Sequence, residues 1–311
     1  MTPMQPGKPP ELPSGEQYEL RYGSQRAVVV EVGAGIREYE VDGQAVLDGY
    51  PEDEMVGGGR GAILAPWPNR IRDGAYELDS QSYQLALTEA DKRNAIHGLV
   101  RWVNWTCAGR DAQSVRMRLL LHPQPGYPFA LSLEAEYALT DTGLRVSAIA
   151  RNVGASRAPY GIGHHPYLRP ALGLVDNAHL RVPARSWLEL DERGIPTGQT
   201  SPVDGSDYDF RRPRPIGALK LDTPYADLER DANGLTHVRL DYTTLWLDHT
   251  FEYVQVFTGD TVQPVSRRRQ GLAVEPMTCA PDAFRNGLGL RVLEPGQSLT
   301  TAWGIMAGSS D

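Results

Sequence analysis

The feature that most constrains this chain is a strict two-residue alternation on both sides of a glycine-containing turn. Leu131, Leu133, Ala135, Tyr137 and Leu139 alternate with Ser132, Glu134, Glu136 and Ala138. The turn Thr140-Asp141-Thr142-Gly143 follows, and Leu144, Val146, Ala148 and Ala150 then alternate with Arg145, Ser147 and Ile149. Side chains of a strand point to opposite faces in turn, so this pattern predicts an antiparallel hairpin with one buried face. A second hairpin is predicted over 76–78 and 83–85, around a polar turn at 79–81. Further strands are predicted at 27–32, 35–41, 113–121 and 251–257. Helical periodicity is poor: few windows keep an apolar stripe past ten residues without Gly or Pro, although 217–222 fits one turn of helix. The stretch 171–210 is polar and turn-rich and reads as irregular excursions.

Composition supports many short strands. The chain has 32 Gly and 24 Pro in 311 residues, roughly 18% against a usual figure of about 12%. Disorder is not indicated, because 41% of residues are hydrophobic. Strands without intervening helices predict an all-β, antiparallel sandwich with few short helices. No internal repeat and no mid-chain linker is visible. The expected organisation is a flexible Pro-rich tail over 1–15 and a single domain over 16–311.

A net charge of −8 disfavours nucleic acid and anionic membranes as partners. Cys107 and Cys279 form no CxxC pattern, which excludes a disulfide scaffold or a cysteine-rich zinc site. No secretory leader and no apolar run near 18 residues is visible, so a cytoplasmic protein is expected. Common catalytic signatures are missing. There is no G-x-S-x-G elbow and no H-E-x-x-H. Gly33-Ala34-Gly35 lacks the third glycine of a dinucleotide loop, with Glu38 in its place.

Four segments carry residue types suited to chemistry, and each taken alone also fits a structural role. In Pro66-Trp67-Pro68-Asn69-Arg70 the prolines fix an extended path. Asn69 and Arg70 then offer forked hydrogen bonds to hydroxyls, with Trp67 as a candidate aromatic face. His97-Gly98 suits a turn with open backbone. His164 and His165 are adjacent on extended chain and point to opposite faces, so they do not form a two-histidine metal clamp. Glu275 ends an apolar strand just before Pro276, where burial would raise its pKa toward that of a general base.

Together, and in this order, these segments resemble the aldose 1-epimerase (galactose mutarotase) family. The matching stretches run from Pro66 through Arg70 to Gly74 with Tyr76, then Ile96 to Arg101 with Trp105, Gly163 to Leu168, and Val274 to Phe284. Leu293 to Ser298 with Trp303 also matches, and the similarity spans about residues 17–307. The resemblance implies a galactose mutarotase-like β-supersandwich. It also implies an isomerase that interconverts the α and β anomers of a free aldohexose such as glucose or galactose, with no cofactor and no metal. It places Glu275 as general base and His165 as general acid, and puts Asn69, Arg70 and His97 at sugar-binding positions. A sugar-binding aspartate corresponds to Asp222, or else to Asp227; the segment after Asp222 departs from the family's usual wording. A small-molecule aldose is the expected partner, on a monomer or weak homodimer. Three other readings remain open: a non-catalytic sugar-binding protein on the same fold, a glycoside-active enzyme using Asp222 with Glu275, and a hexose-6-phosphate 1-epimerase. The last needs a basic cluster at the sugar's far end, which Arg70, Arg72 and Arg101 alone do not establish.

Overall fold

The structure is a computed structural model that describes residues 11–308. Its elements are almost all strands, paired antiparallel throughout. The predicted hairpin is Leu131–Thr140 against Gly143–Asn152, with Leu139 opposite Leu144 and Thr140 opposite Gly143. The expected alternation is realised. Leu131, Leu133, Ala135, Tyr137 and Leu139 are buried, as are Leu144, Val146, Ala148 and Ala150. The hairpin forms the centre of a nine-stranded sheet, with Ser114–Leu121 on one side and Ser298–Ala307 on the other. The second predicted hairpin pairs Ala75–Leu78 with Gln81–Gln84.

A second sheet of eight strands carries the order Pro196–Pro202, Ala184–Leu190, Asp222–Leu228, Tyr253–Phe257, Leu272–Met277, Gly163–His164 and Ile63–Leu64. Tyr167–Leu168 pairs beside Leu272–Met277. Val254, Val256, Leu272 and Val274 from this sheet share one apolar cluster with Leu133, Tyr137 and Val146 of the nine-stranded sheet. That shared core makes the molecule a β-sandwich. Each fully buried Val or Leu contributes about 1.5–3 kcal/mol. The alternate residues of the same strands, Gln255, Phe257, Ala273 and Glu275, therefore face away from the core. A four-stranded sheet, Gln17–Tyr22 to Gln44–Ala45, adds a further layer.

Three expectations need correction. The segment 171–210 is more regular than its polarity suggested and holds the strands His179–Arg181, Ala184–Leu190 and Pro196–Pro202. Pro196–Pro202 is an edge strand, where proline, glycine and polar residues are tolerated. No helix forms over 217–222; a turn at 217–218 and three irregular residues precede the strand Asp222–Leu228. Pro224 disfavours helical geometry at the residue before it. Of the expected tail, 1–10 lies outside the described residues. Residues 12–15 are held in place: Ser14 is buried beside the Tyr50 hydroxyl, and its carbonyl accepts the Val32 N–H. Among the described residues, no helix is long and apolar enough to cross a membrane.

Candidate active site

The outward face of the eight-stranded sheet forms the floor of a cavity of about 750 Å³. Strand register places its polar residues. Gln255 stands opposite Glu275, and Asp222 stands opposite Phe257. The Gln255 amide donates to the Asp222 carboxylate. Glu275 is only 2% exposed. Burial, reinforced by the Asp222 charge and opposed by Arg70, pushes its carboxyl well above the usual carboxylate range.

His165 sits where the chain passes from Gly163–His164 to Tyr167–Leu168. Its ring stacks on Tyr167, with centroids 5.0 Å apart and planes within 9°. The Arg60 guanidinium lies over the Tyr167 ring and is tied to Asp48. His165 Nε2 lies 3.4 Å from Glu275 Oε1. Burial first, and then the Arg101 and Arg60 charges, pull the His165 pKa down to about 3. His164 points the other way, against Trp303 and Phe251, as the alternation requires. Gly59 allows the close wall here, because a Cβ at this position would lie 2.8 Å from His165 Cδ2.

The Asn69 and His97 segments are joined by a short antiparallel pair, Arg70–Arg72 with Asn94–Ile96. The His97 N–H donates to the Asn69 carbonyl at 2.9 Å. Asn69 and His97 both take left-handed backbone, with φ of 53° and 62°. Gly98 makes this turn possible: φ is 67°, and a Cβ would lie 2.0 Å from the Ala65 carbonyl oxygen. His97 meets His165 edge to face at 5.3 Å. Burial and the neighbouring His165 hold its pKa well below 6.5.

Arg70 is buried and gripped by Glu89. Its Nε donates to Oε2 at 2.8 Å and its Nη2 to Oε1 at 3.0 Å. Asn94 also donates to Glu89. Asp222 stands 3.6 Å from Arg70 Nη1, with its side chain 43% exposed. Asn69, Arg70, His97, His165, Asp222 and Glu275 all line the one cavity. Asp227 does not; it accepts a hydrogen bond from Ser186 elsewhere. Trp67 is also outside, buried against Phe284, so the expected aromatic face is not Trp67. The aromatic side chains at the cavity are Trp102, Tyr167 and Phe257. Glu89, Gln255, Trp102 and Lys220 belong to the site surroundings and were not singled out from sequence, whereas Arg101, which also lines the cavity, ended a recognised segment. Gln255 carried a usable signal, a lone amide in the middle of an apolar strand.

His97 Nδ1, His165 Nδ1, Gln255 Oε1 and Glu275 Oε2 are buried without a protein hydrogen-bond partner among the described residues. Such atoms are costly unless a ligand meets them. Donor atoms of His97, His165 and Glu275 lie within 4.8 Å of one another. The cavity thus brings a buried histidine–carboxylate pair and several hydrogen-bonding side chains together on one face of an antiparallel β-sandwich.

Comparison with known proteins agrees. The aldose 1-epimerase family model matches residues 16–305, and the chain belongs to that family. It is 37% identical over 289 residues to the uncharacterized protein YihR of Escherichia coli K12, covering 91% of each chain. It is 29% identical over 229 residues to human galactose mutarotase, covering 67% of this chain and 65% of that protein. Among solved structures, the GalM/aldose epimerase homologue of C. elegans superposes with a TM-score of 0.82 at 16% identity, covering 94% of this chain and 99% of that one. The galactose 1-epimerase of Lactobacillus acidophilus NCFM gives 0.78 at 20% identity, covering 94% and 95%.

Proposed function

We propose that residues 16–311 act as one catalytic domain that interconverts the α and β anomers of an aldohexose, with Glu275 as base and His165 as acid. The observation that carries this reading is the buried pair itself, His165 Nε2 3.4 Å from Glu275 Oε1 in a cavity lined by Asn69, Arg70, His97 and Asp222. In the first step Glu275 takes the O1 proton and His165 gives a proton to ring oxygen O5. The C1–O5 bond breaks and the C1 aldehyde forms. Rotation about C1–C2 presents the other carbonyl face. O5 then attacks C1, and the two protons return by the reverse path. No C–H bond breaks and no electrons leave the sugar, so the step calls for no redox cofactor. Asn69, Arg70, His97 and Asp222 hold the remaining hydroxyls. A pure sugar-binding role would not need the acid–base pair.

The resting protonation refines the expected roles. Burial favours a protonated Glu275 and a neutral His165. That state carries the same single proton as a carboxylate with an imidazolium. The reactive charges therefore arise by transfer within the pair, with no uptake from solvent, and the pair titrates as a unit. A second proton would have to enter an imidazole whose pKa is about 3. Because that pKa is lowered, the one-proton state persists as pH falls past 6.5. The expected result is a kcat/KM that stays flat from about pH 7 to about pH 5. A half-loss near pH 6.5 would show that an ordinary exposed histidine limits the step instead.

Polarimetry tests the function. Freshly dissolved α-D-glucose or α-D-galactose should relax at a rate proportional to protein concentration. Methyl α-D-glucoside, which lacks the O1 proton, should be untouched. Nitrophenol release from an aryl glycoside would instead favour a two-carboxylate hydrolase.

A further inference from the structure

One buried charge pair lies beside the site and takes no part in the reaction. The side chains of Asp48 and Arg60 are each 4% exposed, and Arg60 Nη2 donates to Asp48 Oδ2 at 2.9 Å. Arg267 Nη2 donates to the other oxygen, Oδ1, at 3.2 Å. None of the three lines the cavity. A buried ion pair is weak evidence for stability, because well-packed apolar residues of like volume often serve as well or better. The contacts of this pair lead instead toward His165.

A catalytic imidazole is ordinarily oriented by a hydrogen bond at the nitrogen that does not react. His165 Nδ1 has no such partner on another residue among the described residues. Surfaces hold the ring instead. One is Tyr167, parallel to it within 9° at 5.0 Å. The Arg60 guanidinium lies over the Tyr167 ring at 4.5 Å. The Asp48 N–H donates to the Tyr167 carbonyl at 2.8 Å. The second surface is the glycine loop 57–59. Arg60 Nη1 donates to the Gly57 carbonyl at 3.1 Å, and the Tyr167 hydroxyl to the Gly58 carbonyl at 2.9 Å. These bonds hold Gly59 beside the imidazole, where a Cβ would lie 2.8 Å from Cδ2 and 3.2 Å from Nε2. A Cβ on Gly58, whose φ is 62°, would lie 3.2 Å from both Arg60 Nη1 and the Tyr167 hydroxyl. The run of glycines is what lets both surfaces close on the ring.

We propose that Arg60, anchored by Asp48, is a positioning residue for the general acid: through Tyr167 and the glycine loop it sets the plane of the His165 ring, and so aims Nε2 at the ring oxygen of the sugar. This rests on His165 being the acid, as in the mechanism above. Arg60 itself touches no reacting atom. Proton transfer needs Nε2 and O5 within hydrogen-bond reach, and a displacement of about 1 Å can cost about 10²-fold in rate. Asn69, Arg70 and Asp222 lie on other segments of the chain and hold the sugar independently of Arg60. Loss of Arg60 therefore falls on kcat and leaves KM nearly unchanged.

Initial polarimetric rates on fresh α-D-galactose over a range of concentrations, with a melting curve for each variant, test this. H165N is the reference and should lose about 10²–10⁴-fold in rate. R60M leaves Asp48 paired with Arg267, so no buried carboxylate is orphaned. It should lower kcat by about 10–100-fold with KM nearly unchanged. R60K keeps the cation but not the flat fork that covers Tyr167 and reaches Gly57, and should recover part of kcat. The His165 Hε1 proton signal, assigned by its absence in H165N, should move in R60M as the ring leaves its stack on Tyr167. An unchanged kcat, a loss confined to KM, or an unmoved Hε1 signal in folded R60M overturns the proposal while the mutarotase reading stands. If R60M does not fold, D48N carries the same test, since it keeps the shape and loses the charge that anchors Arg60. A fall in kcat at constant KM then supports the proposal, and an unchanged kcat overturns it. If H165N keeps the parent's rate, the assignment of the acid fails and takes this inference with it.

Discussion

Glu275→Gln should leave the protein folded and cut kcat/KM for anomer exchange by about 10²–10⁴-fold, the usual value of general acid–base catalysis. The argument is one of shape and charge. The glutamine amide has nearly the shape of the carboxyl, so the packing against Gln255 and His165 survives. Burial already favours the uncharged carboxyl at this position, so a neutral amide adds no desolvation cost. What disappears is the ability to take a proton from O1. Thermal melting and polarimetry on one preparation separate the two effects. A variant that melts like the parent and retains full activity would remove Glu275 from the mechanism.

The second large effect is expected at Glu89, which touches no reacting atom. Glu89→Ala leaves the Arg70 guanidinium buried without its bidentate partner. Removing one member of a buried pair typically costs about 3–5 kcal/mol. Here the Glu89 side chain keeps 16% exposure and Asp222 remains 3.6 Å away, so about 2–3 kcal/mol is the expected loss. Asn94 also loses an acceptor. The chemical-denaturation midpoint should fall accordingly, and KM should rise because Arg70 no longer holds its place. Glu89→Gln, which keeps an acceptor, should recover part of both. An unchanged midpoint in the alanine variant would show that Asp222 alone anchors Arg70.

The contrast between these two positions explains how far the sequence could be read. The hairpin Leu131–Thr140 and Gly143–Asn152 was legible because each strand buries one face and exposes the other, as the alternating burial shows. Leu272–Met277 is buried on both faces and shows no alternation. A single carboxylate in that apolar run still marked it out. His97, His165, Asn69 and Arg70 were legible through the family resemblance, and the structure brings them to one cavity with Glu275 and Asp222. Glu89 was not, because its meaning lies in a contact with Arg70 across 19 residues of chain. Arg101 lay inside a recognised segment, but only the fold shows that no carboxylate reaches it. The strand Pro196–Pro202 was hidden by the same polarity and proline that an edge position permits. Trp67 failed as a sugar platform because its indole packs into the core against Phe284, outside the cavity.

Anomer exchange of an aldohexose in D2O, followed by proton NMR, tests the central claim most directly. The account predicts that catalytic protein speeds α/β exchange while the C1 and C2 protons are fully retained, since only oxygen-bound protons move. Deuterium entering at C2 would show carbanion or enediol chemistry. An exchange rate equal to that of buffer would contradict the account outright.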